Sequence, residues 1–225
     1  MFQAESKKTK RIFFWLSIII NVGFLGAFKY YDFFVSSFID FFSTFGIVLS
    51  ARSLNWILPV GISFYTFHGV SYVIDIYYDK IKPEKNFINY SLFVSFFPLL
   101  VAGPIERATH LLPQIQKPRV FEFEKAKDGL RQILWGLFKK VVIADQCAEY
   151  INLIFDNPAD YSGSTLALGA ILFSIQIYGD FSGYSDIALG SARLLGFELL
   201  KNFSFPYFSR DIAEFWRRWH ISLSS

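Results

Sequence analysis

The 225-residue chain is 53% hydrophobic, 20% aromatic and only 18% charged, with a mean hydropathy of +0.34; this excludes an ordinary soluble domain and reads as a membrane protein. The net charge of +3 is small and its basic residues cluster between apolar spans, which fits orientation in a bilayer and excludes a polybasic nucleic-acid-binding region. One cysteine beside 28 phenylalanines excludes an internal disulfide framework or a thiolate metal site, and Cys147 reads as a packed small residue.

Lys7, Lys8, Lys10 and Arg11 precede an uncharged run over 12–28. That run approaches the ~20 residues needed to cross a ~30 Å hydrocarbon core, and the positive-inside rule places the N-terminus in the cytoplasm. A signal peptide is rejected, because the run outlasts an h-region and no small-x-small site precedes Lys29. Tyr30 and Tyr31 fall at the far interface. Residues 33–49 are apolar but carry Asp40 and Gly46, a pattern open to a short span, a re-entrant piece or an interfacial helix. Residues 56–77, flanked by Trp56 and by Tyr77 and Tyr78, predict a crossing helix with an aromatic belt.

Two basic clusters follow, KIKPEK at 80–85 and the stretch from Arg107 through Lys140, with only the uncharged run 86–105 between them. One full crossing would leave a cluster on the wrong side. Pro98, Gly103 and Pro104 break that run, so a re-entrant or strongly kinked element is predicted. Residues 111–132 are polar enough for a cytoplasmic connection. Helical patterning resumes over 133–155, where Lys139, Lys140, Asp145 and Glu149 imply one buried and one wet face. NPADYSGS at 157–164 is a turn by composition, and a further span runs from Thr165 into IQIYGDFSGYSDIALG. No repeat of 20 to 50 residues and no low-complexity segment interrupts the pattern.

Chemistry-bearing residues concentrate in the last third. Asp180 and Asp186 lie in or beside an apolar span with Tyr178, Ser182, Tyr184 and Ser185. Carboxylates there face a cavity or a partner; the plainer alternative is pairing at the interface with Arg193 or backbone donors. Gly179, Gly183 and Gly190 permit either close helix approach or a break. His68 reads as a satisfied packing or hydrogen-bonding group, and Glu106 and Arg107 before His110 as a loop ion pair. In SRDIAEFWRRWHISLS, a helix would put Trp216, Trp219, His220 and Leu223 on one face and pair Glu214 with Arg218 at i, i+4, with Ser209 or Asp211 as its cap. An interfacial amphipathic helix explains all of this except the histidine among tryptophans. A neutral imidazole there can take a proton from an attacking hydroxyl or polarise an acyl carbonyl. Pairing His220 with Ser224 as a hydrolase lacks a nucleophile elbow and a third member.

Taken in order, GISFYTFHGVSYVIDIYY, FFPLLVAGPIERATHLLPQI, GLFKKVVIADQ and YGDFSGYSDIALGSARLLGFELLKNFSFPYFSRDIAEFWRRWHISLS, which ends in the FWRRWHISLS block, cover about 58–225. They resemble the membrane-bound O-acyltransferase (MBOAT) family, in its bacterial branch that includes alginate O-acetyltransferase and the teichoic acid D-alanyl transferase. The resemblance implies an all-α, polytopic transmembrane helical bundle with re-entrant or interfacial helices, multi-pass in the bacterial inner membrane. It implies transfer of an acyl group, acetyl above all, from a cytoplasmic thioester-type donor such as acetyl-CoA to hydroxyls in an exported polysaccharide pathway, with polysaccharide O-acetylation partner proteins and no bound cofactor or metal. His220 takes the place of the histidine in the family's Trp-His block, and Arg217, Arg218 and Trp219 match the same block. Tyr178, Asp180 and Asp186 are the cavity-lining candidates, and Arg217 or Trp219 a donor to the developing oxyanion.

Family members continue into a second motif of the Gly-Leu-Trp-His-Gly kind, whose histidine the resemblance implies is the main catalytic one, with His220 as a supporting acid/base or donor-binding residue; these 225 residues lack that motif, and family N-termini start earlier. His68 stands where the branch often has Gln. The expectation is therefore a single partial MBOAT-like membrane domain over 1–225, inactive alone. The runner-up reading is a polytopic transporter or non-catalytic scaffold of a polysaccharide export system, with the intramembrane aspartates and the broken 98–104 segment as a substrate path.

Overall fold

A computed structural model describes residues 6–50 and 56–224, and every regular element among them is helical. The chain divides into two compact units, residues 1–95 with 107–112 and residues 96–106 with 113–225.

In the first unit, Ser6 caps α1 (Lys7–Leu25), accepting a hydrogen bond from the backbone N–H of Lys8. A π-helical segment, Gly26–Tyr30, carries the helix into α2 (Tyr31–Ser43). The predicted crossing over 12–28 and the ambiguous piece over 33–49 are thus one run, Lys7–Ser43, of 37 residues. At 1.5 Å per residue it spans about 55 Å, well beyond a ~30 Å hydrocarbon core. None of its residues is buried.

The predicted helix over 56–77 begins later, at Ile62, and forms α3 (Ile62–Tyr77). Pro59 and a left-handed Gly61 at φ +79° keep the chain out of the α-helix until then; without a Cβ, glycine adopts that backbone at no steric cost. Helix α3 packs on α1, with Phe14 and Tyr77 ring centres 4.4 Å apart and Lys10 on Asp79 at 2.8 Å. His68 is fully buried in α3, its Nδ1 3.4 Å from the carbonyl oxygen of Val94 and its ring beside Phe93. The packing is as read from the sequence, but the ring is not fully satisfied: its Nε2 is buried without a hydrogen-bond partner among the described residues. Helix α4 (Phe87–Val94) is capped by Asn86.

The run over 86–105 is broken, as its prolines required. Helix α4 stops at Val94, and Pro98 sits in a 3₁₀ turn, Phe97–Leu99, followed by non-helical chain to Glu106. Helix α5 (Ala108–Gln116) follows.

The second unit is built on a long antiparallel pair. Helix α6 (Phe123–Leu137) passes through a π-helical segment, Phe138–Ala144, into α7 (Asp145–Asp156). It therefore starts ten residues before the predicted 133, inside the stretch read as a polar connection. The reason is small residues: Ala126, Gly129 and Gly136 are buried on one face of a helix whose other face is charged. After a turn at Pro158–Asp160, Ser162 caps α8 (Gly163–Leu194), 32 residues and about 48 Å long.

Helices α6 and α8 approach to backbone contact. A Cβ on Gly136 would lie 2.6 Å from the carbonyl oxygen of Gly183, and one on Gly129 2.8 Å from that of Gly190. Each pair of glycines is spaced by seven residues, so one small-residue seam serves both helices. Of the two alternatives read for Gly183 and Gly190, close approach is the one realised.

Candidate active site

Helix α8 carries Tyr178, Asp180 and Asp186 in its second half, and the π-helical segment beside it supplies their partners. Lys139 Nζ lies 2.5 Å from Asp186 Oδ2 and donates to Ser182 Oγ at 2.9 Å, while Gln132 Nε2 donates to Asp186 Oδ1 at 2.9 Å. Lys140 Nζ reaches Asp180 at 2.8 Å and Asp145 at 2.5 Å. A widened turn is suited to this, because the Lys139 carbonyl already sits against Gly179 and the two adjacent lysines face different stretches of α8. Lys139 is 8% exposed; a buried ammonium without a carboxylate would be strongly unfavourable.

These partners were missed in the sequence. Arg193, named with backbone donors in the plainer alternative, is instead held by Asp128 at 2.5 Å, Glu198 at 3.2 Å and the Gln132 side-chain oxygen at 2.9 Å. The available signal was charge balance: GLFKKVVIADQ holds two lysines in an apolar setting, and the next apolar helix holds two aspartates.

A cavity of 280 Å³ opens where these groups meet, with Gln132, Lys139, Tyr178, Ser182, Asp186 and Asn202 among its walls. Tyr178 and Asp186 therefore share it. Asp180, on another face of α8, does not line it and remains on Lys140. Lys139 Nζ lies 5.9 Å from the centre of the Tyr178 ring, so the cavity combines an ammonium, a carboxylate and an aromatic face.

Asn202 joins this wall to the end of the chain. Its Nδ2 donates to Ser185 Oγ at 3.3 Å and its Oδ1 accepts from Ser222 Oγ at 2.9 Å; Ser222 Oγ in turn accepts from the backbone N–H of Ile105. Glu106, fully buried, accepts from the backbone N–H of Leu200.

The terminal segment departs from the single helix predicted for it. Asp211 caps α9 (Ile212–Arg218), accepting from the Glu214 N–H at 2.7 Å, and Glu214 pairs with Arg218 at 2.5 Å, both as read from the spacing. The helix then ends. Trp219 is extended, His220 is left-handed at φ +47°, and a short α10 (Ile221–Ser224) follows. Two backbone bonds impose the break: Ser204 N–H donates to Arg218 O at 3.0 Å and Ile221 N–H to Asn202 O at 2.9 Å. Residues 202–204 capture carbonyl and amide groups that a continuing helix would have used.

The break separates the predicted face. Trp219 packs among Phe203, Tyr207 and Phe215, stacked on the last at 5.5 Å, and so serves as an anchor. Trp216 and Leu223 are exposed. Arg218 is held by Glu214, whereas Arg217 is exposed and makes no ion pair among the described residues. Ser224 Oγ is directed at the Trp216 and His220 carbonyls, not at the imidazole, which removes the Ser/His hydrolase pairing.

His220 itself is half-buried, its ring edge-on to Phe181 with centroids 4.9 Å apart. Its Nδ1 is buried and has no hydrogen-bond partner among the described residues. Burial lowers the imidazole pKa from its ordinary 6.5, so the ring is neutral at pH 7. His220 is thus a non-glycine residue held in left-handed backbone, a conformation that costs strain, with a buried ring nitrogen.

Comparison with known proteins identifies the family. Residues 78–225 match the family model described as MBOAT, membrane-bound O-acyltransferase family. Over 93% of its length the chain is 40% identical to the probable alginate O-acetylase AlgI of Pseudomonas aeruginosa, covering 40% of that protein. It is 35% identical to the peptidoglycan O-acetyltransferase of Helicobacter pylori, with 99% of this chain and 46% of the relative aligned. The teichoic acid D-alanyltransferase of Bacillus subtilis is 31% identical over 76% of the chain and 44% of its own length. The chain thus spans less than half the length of each of these relatives.

Proposed function

The chain belongs to the membrane-bound O-acyltransferase family, and from that premise we propose that it is part of a bacterial inner-membrane enzyme that moves an acetyl group onto hydroxyls of an exported polysaccharide. The donor is a cytoplasmic acyl thioester such as acetyl-CoA, and O-acetylation partner proteins receive or present the acceptor. Relatives named for alginate and peptidoglycan O-acetylation support acetyl as the group and a sugar hydroxyl as the acceptor.

The observation that carries the reading is His220: a neutral imidazole with a buried nitrogen unpartnered among the described residues, held in a left-handed turn by backbone bonds on both sides. Attack of an alcohol on a thioester needs a base for the alcohol proton, and the departing thiolate needs a proton back. A neutral imidazole can supply both steps in turn. Tyr178, Asp186 and Lys139 form a polar wall in the same unit, suited to orienting a hydroxyl-bearing ligand. Arg217, exposed and free of an ion pair among the described residues, remains the candidate oxyanion donor.

Expression of the full-length gene with His220→Ala, followed by measurement of O-acetyl groups on the host exopolysaccharide, tests the assignment. Loss of acetylation by at least about a hundredfold is expected for removal of a general base. Unchanged acetylation by a stably inserted variant would sink the catalytic role of His220.

A further inference from the structure

A second cavity, of 340 Å³, lies at the C-terminal end of α8; it is lined by Arg193 and Glu198 but by none of the residues that line the first. Its charged walls are Lys117, Arg119, Lys125 and Arg193 against Glu122 and Glu198. The two carboxylates are taken: Glu122 by Lys125 at 2.7 Å and Glu198 by Arg193 at 3.2 Å. Lys117 and Arg119 have no carboxylate partner among the described residues. The Arg119 guanidinium lies 4.4 Å from the centre of the Phe197 ring, so an apolar surface and not an anion positions it.

Immediately beyond these two cations the chain exposes Val120 (80%), Phe121 (73%) and Phe123 (68%). Exposed large apolar side chains beside uncompensated basic ones suit a segment at an anionic bilayer surface, where cations take the headgroups and apolar groups enter the acyl region. The length of α8 supports that depth. Its uncharged part, 163–179, occupies most of a ~30 Å hydrocarbon core, and the remaining turns carry Arg193 into the headgroup zone. A soluble phosphate compound would satisfy Lys117 and Arg119 and leave the exposed Val120, Phe121 and Phe123 without a reason.

We infer that this cavity binds the headgroup phosphate of an anionic phospholipid, gripped by Lys117 and Arg119, with Val120 and Phe121 inserted among the acyl chains. The site is separate from acyl transfer and does not depend on it.

The test uses the full-length protein with every native cysteine, Cys147 included, replaced by serine, and an environment-sensitive fluorophore on Phe121→Cys. The protein is placed in phosphatidylcholine bilayers containing brominated phosphatidylglycerol or, in a matched sample, brominated phosphatidylcholine. Stronger quenching by the brominated phosphatidylglycerol at equal content is expected. With each cation near an anionic surface worth about fivefold in affinity, Lys117→Ala with Arg119→Ala weakens that preference roughly 25-fold. Lys117→Arg with Arg119→Lys retains it, which separates charge from damage to the fold. Equal quenching by both lipids, no quenching by either, or a preference unmoved by the alanine pair would each overturn the inference. Abolition of the preference by millimolar inorganic phosphate would make a soluble phosphate the ligand and overturn it equally.

Discussion

The helix Lys7–Ser43 and α8 are both long and apolar, yet the first stands almost alone while α8 is stabilised by its antiparallel pairing with α6. The first has no buried residue, and its Lys10 pairs with Asp79 just beyond α3, a carboxylate 66% exposed. The pairing of α8 brings glycine onto backbone carbonyls and is tied by Lys139–Asp186 and Lys140–Asp180. Apolar composition sends a helix into the bilayer, but in lipid it supplies no force between helices. Close backbone packing and neutralised charge supply it instead, and the candidate cavity lies where both are present.

Matched substitutions test that contrast. Gly136→Leu drives a side chain into the Gly183 carbonyl and should cost about 3 kcal/mol, read as loss of thermal stability in detergent. Gly23→Leu, with nothing within 4 Å of the added Cβ, should be neutral or gain up to about 0.8 kcal/mol from helix propensity. Equal losses at the two positions would refute the contrast. Next in size, Lys139→Met leaves Asp186 partly buried without its cation and should cost about 2 kcal/mol, largely recovered by adding Asp186→Asn. Lys10→Met should stay within about 1 kcal/mol, as expected of an exposed pair.

The smallest effect is a pH response in the terminal helix. The backbone N–H and guanidinium of Arg210, then Arg218, hold the Glu214 carboxyl down to about 2 from its ordinary 4.5. A depressed acid pKa favours the folded form fully above pH 4.5, and the contribution disappears as pH falls through 2. Trp216 and its neighbours should report that acid transition by fluorescence, and Glu214→Gln should abolish it.

Much of the fold was legible because its signals are local. The Asp211 cap, the Glu214–Arg218 pair and the break around Pro98 depend on residues within a few positions of one another. The early start of α6 was hidden, since its buried face is made of Ala126, Gly129 and Gly136, which carry little hydrophobic signal. The end of α9 was hidden for a different reason. The helical spacing of Trp216, Trp219 and His220 is real in sequence, but Asn202 and Ser204 compete for the backbone groups that would continue it.

Composition and ordered motifs determined that this is a helical membrane chain of the O-acyltransferase family, because bilayer partitioning and local hydrogen bonding act on segments read one at a time. The tertiary structure alone decided that Lys139 and Lys140 neutralise Asp186 and Asp180, that Trp219 anchors while His220 turns left-handed, and that Asp180 stays out of the cavity Asp186 lines. Those outcomes depend on which residues distant in sequence come within hydrogen-bond reach, and packing between helices is what brings them there.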